Sequence, residues 1–162
     1  MRNGEVENKE LIRAKNSAYR YLTYRPRSRA EIETKLREKE FDDAIVRQVI
    51  ADLVRFGYVN DQEFARLWAQ SRVRLRGFGR RRIERELTNK GIDRGIIKQI
   101  FAELFDGDSE FETAKLTAQK KLTTLRSVDR ETRRRRLAGF LERKGFSFEI
   151  IGRVLRDTDQ NA

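Results

Sequence analysis

Ile83–Phe101 reads IERELTNKGIDRGIIKQIF, and this stretch decides the fold. Ile83 and Leu87 lie four residues apart and share one face of a helix. After Gly91-Ile92-Asp93, the doublets Ile96-Ile97 and Ile100-Phe101 are again four apart, which predicts a second amphipathic helix. Gly91 suits the left-handed residue that ends a helix, and Asp93 is an N-cap type that starts the next. Ile92 is placed to staple to Ile97, the contact that fixes where the chain enters the second helix.

Working outward, the same pattern occurs twice more. With Phe41 and Phe146 set against Ile92, the helix before the turn carries Ile32 and Leu36, then Leu137 and Leu141. The helix after it carries Ile45-Val46 and Val49-Ile50, then Ile150-Ile151 and Val154-Leu155. The turns read Glu40-Phe41-Asp42 and Gly145-Phe146-Ser147, with Asp42 and Ser147 as caps and Phe41–Val46 and Phe146–Ile151 as staples. Glu40 departs from the glycine of the other two turns. A further helix precedes each pair: Ala14, Ala18 and Leu22 match Ala65, Ala69 and Val73, and Ala114, Ala118 and Leu122 repeat them. In the third unit about five extra residues follow before the next helix.

The expected fold is therefore all-α: three tandem three-helix repeats, 9–57, 58–106 and 107–157, forming an elongated, curved modular array. A unit this small buries little surface alone, so neighbours stack. Residues 1–8 are expected to be a flexible N-terminus and 158–162 a C-terminal tail.

Composition narrows the function. The 162 residues include 38% apolar and 39% charged side chains, against about 25% charged in an average globular protein. That balance fits thin helical layers. The net charge of +11, from 37 basic and 26 acidic residues, implies an anionic partner. Arginine outnumbers lysine and is the better phosphate fork, which favours nucleic acid over a membrane surface. No cysteine and no histidine are present. Disulfides, thiolate chemistry, His or Cys zinc sites and Ser-His triads are thereby excluded. No acidic cluster has a recognisable ligand spacing, so neither a metal nor another cofactor is expected. No apolar run nears the roughly 18 residues of a membrane span, and no signal peptide is visible, which makes a cytoplasmic location the default.

The basic charge is concentrated. Arg72, Arg74, Arg76, Arg80, Arg81, Arg82 and Arg85 share their segment with one acid, Glu84. Arg126, Arg130 and Arg133, Arg134, Arg135 and Arg136 form a second group beside Asp129 and Glu131. In the alignment, Arg29-Ala30-Glu31 stands where the other units carry Arg80-Arg81-Arg82 and Arg134-Arg135-Arg136. The first unit is an ordinary helix start, with Ser28 as N-cap and Glu31 completing a capping box. The second reverses the charge there. Each basic residue opposes the helix dipole by about 0.3–1 kcal/mol, so an anion is expected at that helix start. In the third unit a start near Asp129 softens the conflict. Arg81 and Arg85 point away from the Ile83–Leu87 face, as Arg135 does from Leu137 and Leu141. Arg72, Arg74, Arg76, Arg80, Arg81, Arg82, Arg85, Arg133, Arg134, Arg135 and Arg136 are the candidate phosphate contacts. For any single arginine, solvated surface charge is the alternative.

Gly77-Phe78-Gly79 lies between two arginine groups. It lacks the preceding strand and following lysine of a phosphate loop, and an inter-helix turn accounts for it. Phe78 either stacks on a base or folds back into the core. Trp68 and Tyr19 read as core residues, with Trp68 partly buried, and Asp61 as the N-cap of the helix that starts there.

The run Gly57-Tyr58-Val59-Asn60-Asp61-Gln62-Glu63-Phe64-Ala65, followed by Arg76-Gly77-Phe78-Gly79, Ile83, Glu86-Leu87 and Lys90-Gly91-Ile92, resembles the central repeat of the RecX family. Phe140-Leu141 and Arg143-Lys144-Gly145-Phe146 resemble that family's C-terminal repeat, and the likeness covers about residues 11–157. It implies a non-enzymatic modulator of the RecA recombinase that lies in the helical groove of the RecA–DNA filament. Such a protein touches adjacent protomers, hinders ATPase, strand exchange and co-protease activities, and binds single- and double-stranded DNA directly. Tyr58, Asp61 and Phe78 are the candidate partner contacts, and a monomer is expected.

Two other readings compete. In a helix-turn-helix array without a RecA partner, the third helix of each unit would enter the major groove. Those helices expose Asp43, Arg47, Gln48, Asp52 and Arg55, and then Arg94, Lys98 and Glu103, a mixture poorly suited to a groove. An enzyme comes last, because no histidine, cysteine or converging carboxylates are available to it.

Overall fold

Ser28 begins the first short helix as its neighbours require. Its hydroxyl accepts from the Glu31 N–H at 3.2 Å and the Glu31 carboxylate accepts from the Ser28 N–H at 3.0 Å, which closes the capping box. Local rules of this kind set most of the boundaries in the computed structural model, which describes residues 2–106 and 108–160, with side chains from Glu7 onward. The helices are α1 (Arg2–Tyr24), α2 (Arg29–Arg37), α3 (Asp43–Arg55), α4 (Asp61–Ser71), α5 (Arg80–Asn89), α6 (Arg94–Leu104), α7 (Ser109–Leu122), α8 (Arg130–Lys144) and α9 (Phe148–Gln160). A π-helical turn, Arg72–Arg76, prolongs α4, and a 3-10 turn, Thr123–Leu125, prolongs α7. No strand occurs among the described residues. α1 starts at Arg2, inside the stretch expected to be flexible, and α9 runs to Gln160, inside the expected tail. Residues 1, 161 and 162 lie outside the described residues.

The helices fall into two compact units, Met1–Phe64 with Lys90–Asp93, and Ala65–Asn89 with Arg94–Ala162. In the first, α1, α2 and α3 pack on one another. Their core contains Ala14, Ala18, Ile32, Leu36, Val46, Val49, Ile50 and Leu53, with Phe41 against it. These are the positions that the four-residue spacing assigns to the buried face. In the second unit α7, α8 and α9 pack mutually around Ala114, Ala118, Leu137, Leu141, Phe146, Ile151, Val154 and Leu155. Ile83, Leu87, Ile97, Ile100 and Phe101 of α5 and α6 are also buried. Asp42 caps α3 by accepting from the Ala44 N–H at 2.8 Å. Asp129 caps α8 through the Thr132 N–H at 2.9 Å, and Ser147 accepts from the Ile150 N–H at 3.2 Å.

Two expectations need correction. The cap of α4 is Asn60, whose side-chain oxygen accepts from the Gln62 and Glu63 N–H groups at 3.0 and 3.1 Å. Asp61 is the first helical residue, and its carboxylate accepts from the Arg29 N–H at 2.8 Å. An acid at that place satisfies an orphan donor at the start of α2. Tyr19 is no core residue: it is 39% exposed, and its ring meets that of Tyr58 edge-on at 5.3 Å.

Gly91 and Gly145 end their helices with φ of 72° and 93°. Each also accepts close approach from the start of a helix. A Cβ on Gly91 would overlap the Ala30 Cβ within the first unit, and one on Gly145 would lie 2.5 Å from the Arg82 backbone nitrogen within the second. Two hydrogen bonds accompany these approaches. The Ser28 hydroxyl donates to the Lys90 carbonyl at 2.7 Å, and the Gly79 N–H donates to the Lys144 carbonyl at 2.9 Å. Glu40 takes the same left-handed conformation, with φ of 60°, and is exposed.

Candidate nucleic-acid interface

α5 opens on three arginines because its helix start is satisfied from inside the protein. The Arg80 N–H donates to the Glu110 carboxylate at 2.9 Å, and the Arg81 N–H to the Gly145 carbonyl at 3.1 Å. The Arg82 and Ile83 N–H groups both reach the Gly79 carbonyl, at 3.2 and 3.3 Å. The expected external anion at this helix start is therefore corrected: Glu110 of α7 supplies the negative charge that the dipole favours. Glu110 precedes Ala114 by four residues, as Asp61 precedes Ala65, so the acid that meets Arg80 is the repeat counterpart of the one that meets Arg29.

The candidate arginines separate into two kinds. Arg72 is internal: its guanidinium lies 3.9 Å from the centre of the Trp68 ring and its Nε donates to Glu86 at 2.7 Å. The Trp68 indole N–H donates to the same carboxylate at 3.0 Å, and Arg82 approaches it at 3.6 Å. Half-buried Trp68 is thus held in an ion-pair hub. Arg82 also covers the Phe78 ring at 3.9 Å and donates to the Arg143 carbonyl at 3.1 Å. Arg80 lies over Phe101 and Phe105, at 5.2 and 5.8 Å. Arg134 pairs with Asp159, and Arg133 donates to the Val128 carbonyl at 3.2 Å. These side chains hold the helices together.

The second kind faces solvent. Arg74 and Arg76 on the π-helical turn, Arg81 and Arg85 one turn apart on α5, and Arg135 and Arg136 on α8 are all exposed. No carboxylate pairs with them among the described residues. Phe78 is 8% exposed, with Arg82 on its face and the Lys144 ammonium 5.1 Å away, so it cannot offer its ring to a base. Its segment folds inward because Gly77 and Gly79 lack side chains where Thr117 and the Gly145 backbone lie against them. The exposed aromatic is Phe148, 69% exposed at the start of α9, with the Arg81 guanidinium 5.6 Å from its ring. Sequence reasoning missed it. The signal was present, because the aligned positions hold the charged residues Asp43 and Arg94. Tyr58 is 58% exposed, and Asp61 is committed to α2. In the third helices of the first two repeats, acids are spent internally: Asp43 on Arg37, Asp52 on Lys15 and Glu103 on Arg66.

Burial raises the Glu86 pKa, but Arg72, Trp68 and Arg82 outweigh it and leave the carboxyl below its ordinary value of 4.5. Glu31 behaves alike, with burial opposed by the Ser28 N–H, Arg25 and Lys90. A carboxyl depressed in the folded state stabilises the protein above the unfolded pKa and loses that contribution as the pH falls through the folded one. Glu86→Gln is expected to cost about 1 kcal/mol at pH 7. The deficit should shrink on acidification below 4.5. Urea unfolding at both ends of that range checks it, and a deficit independent of pH would remove the ion-pair hub from the account.

Among the described residues no group of acids is placed to hold a metal, and no helix is long and apolar enough to cross a membrane. The sequence matches family models for the first, second and third three-helix domains of RecX over residues 14–53, 60–100 and 108–155. It is 37% identical over 153 residues to the regulatory protein RecX of Streptomyces coelicolor, covering 94% of this chain and 81% of that one. With the regulatory protein RecX of Clostridioides difficile the identity is 35% over 150 residues, covering 93% and 70%. The crystal structure of RecX from Lactobacillus salivarius superposes with a TM-score of 0.84 at 24% identity, over 94% of this chain and 99% of that one, a likeness of fold.

Proposed function

The chain belongs to the RecX family, and on that premise we propose that it is a non-catalytic regulator that binds the RecA–DNA filament and DNA itself. Seated in the helical groove of the filament, it hinders ATPase, strand exchange and co-protease activity. It works in the cytoplasm as a monomer of three three-helix repeats, 9–57, 58–106 and 107–157. The observation that carries the reading is the division of the arginines. Arg74, Arg76, Arg81, Arg85, Arg135 and Arg136 stay exposed beside paired neighbours of the same type. Phosphate or acidic protein surface is the chemistry such unneutralised forks meet. Phe148 beside Arg81 adds a face on which a base can stack.

The direct test is RecA ATPase turnover on single-stranded DNA, titrated with the purified protein. Inhibition at or below one copy per RecA is expected, and it should weaken as salt rises. Unchanged turnover at every salt concentration, with DNA binding intact, would leave a nucleic-acid-binding helical module and remove RecA from the proposal.

A further inference from the structure

Residues of α7, α8, α9 and the 3-10 turn line an open cavity of 590 Å³ that the exposed arginines described above do not use. Leu122 and Val154 give it an apolar wall, and Lys115, Arg126, Arg133 and Asp157 bring charge to it. The balance is positive, because the one acid, Asp157, already lies 3.3 Å from the Lys115 ammonium. Arg126 is exposed and meets no carboxylate among the described residues. Arg133 spends one terminal nitrogen on the Val128 carbonyl, at 3.2 Å. Its Nε is buried and has no hydrogen-bond partner among the described residues. A buried donor without an acceptor is destabilising. With that Nε out of reach of the cleft, the terminal nitrogens of Arg133 are the donors that a phosphate or carboxylate can meet.

The size is that of a small-molecule site, which ranges over roughly 300–1,000 Å³ and combines apolar walls with a few convergent polar groups. We propose that this cavity binds a phosphate ester of nucleotide size. The phosphate oxygens accept from Arg133 and Arg126, and the organic part lies against Leu122 and Val154. The phosphate belongs either to a free nucleotide or to a nucleic-acid strand, and the chemistry of the site is common to both. The site requires neither Arg81 nor a protein partner, so it stands apart from the filament reading.

Calorimetric titration of the full chain with thymidine monophosphate, thymidine and a 5′-phosphorylated oligothymidine tests it. Saturable binding of a phosphate-bearing probe is expected, with none for thymidine. Arg126→Gln and Arg133→Gln should each weaken that binding about tenfold, the loss of one charge-assisted contact. Arg133 also holds the Val128 carbonyl, so circular dichroism must accompany its variant; exposed Arg126 keeps the test valid if Arg133→Gln misfolds. Displacement of thymidine monophosphate by the oligonucleotide, or oligonucleotide binding alone that both variants weaken, assigns the cavity to strand phosphate. Monophosphate binding without displacement assigns it to a free nucleotide. Either supports the proposal. No binding of either phosphate probe, or binding that neither variant changes, overturns it. Arg81→Ala/Arg85→Ala should leave monophosphate affinity intact, so failure here is distinct from failure of the exposed-arginine surface.

Discussion

Gly145→Ala is expected to cost about 3 kcal/mol of folding stability. Two causes act together. The position has φ of 93°, where an L side chain is strained. A Cβ there would also sit 2.5 Å from the Arg82 nitrogen and 2.9 Å from its Cα, and neither is the end of a flexible side chain. The approach is reciprocal, because a Cβ on Gly79 would lie 2.7 Å from the Gly145 carbonyl carbon and oxygen. Relief requires the start of α5 to move, which breaks the Gly79–Lys144 and Arg81–Gly145 hydrogen bonds. Chemical denaturation of the variant measures the cost. A loss below about 1 kcal/mol would mean that this contact is far looser than the geometry describes. Gly91→Ala supplies the contrast. Its obstacle is the side chain of Ala30, so Ala30→Gly should restore part of the stability. At Gly145 no side-chain truncation can do so.

Arg81→Ala/Arg85→Ala is expected to weaken binding to an oligonucleotide about tenfold at physiological salt, and to lower the slope of log K against log salt by up to ~2 units. Both side chains are exposed, no carboxylate pairs with either among the described residues, and the Arg81 guanidinium lies 5.6 Å from the Phe148 ring. Helix content and thermal stability should therefore hold. The same reasoning separates these residues from Arg72 and Arg82, which share Glu86 and whose removal would confound binding with stability. Fluorescence anisotropy over a salt series gives both numbers. A slope equal to that of the wild type would show that neither arginine meets phosphate.

Helix positions, the repeat and most caps were legible in the sequence, because they depend on residues within about one turn of each other. Ile32 with Leu36, Ile83 with Leu87 and Leu137 with Leu141 state their buried face by spacing alone, and Ser28 with Glu31 states a helix start. Asn60 and Asp61 are both good cap residues one position apart, and only the backbone distinguishes them, in favour of Asn60.

What each arginine does was decided by the tertiary structure. The charge conflict at Arg80-Arg81-Arg82 was visible in the chain, but its answer, Glu110, lies 30 residues away and reaches α5 only when α7 packs beside it. Likewise nothing local distinguishes Arg82, folded over Phe78, from Arg81, open to solvent, although they are adjacent. Spacing determined which face of each helix is apolar, and so the three-helix repeat and the family. Partnership on the polar face depends on which distant carboxylate, carbonyl or ring the packed backbone brings within a few ångströms. That is why the basic segment was found in the sequence, while the arginines left free to meet a partner were found in the fold.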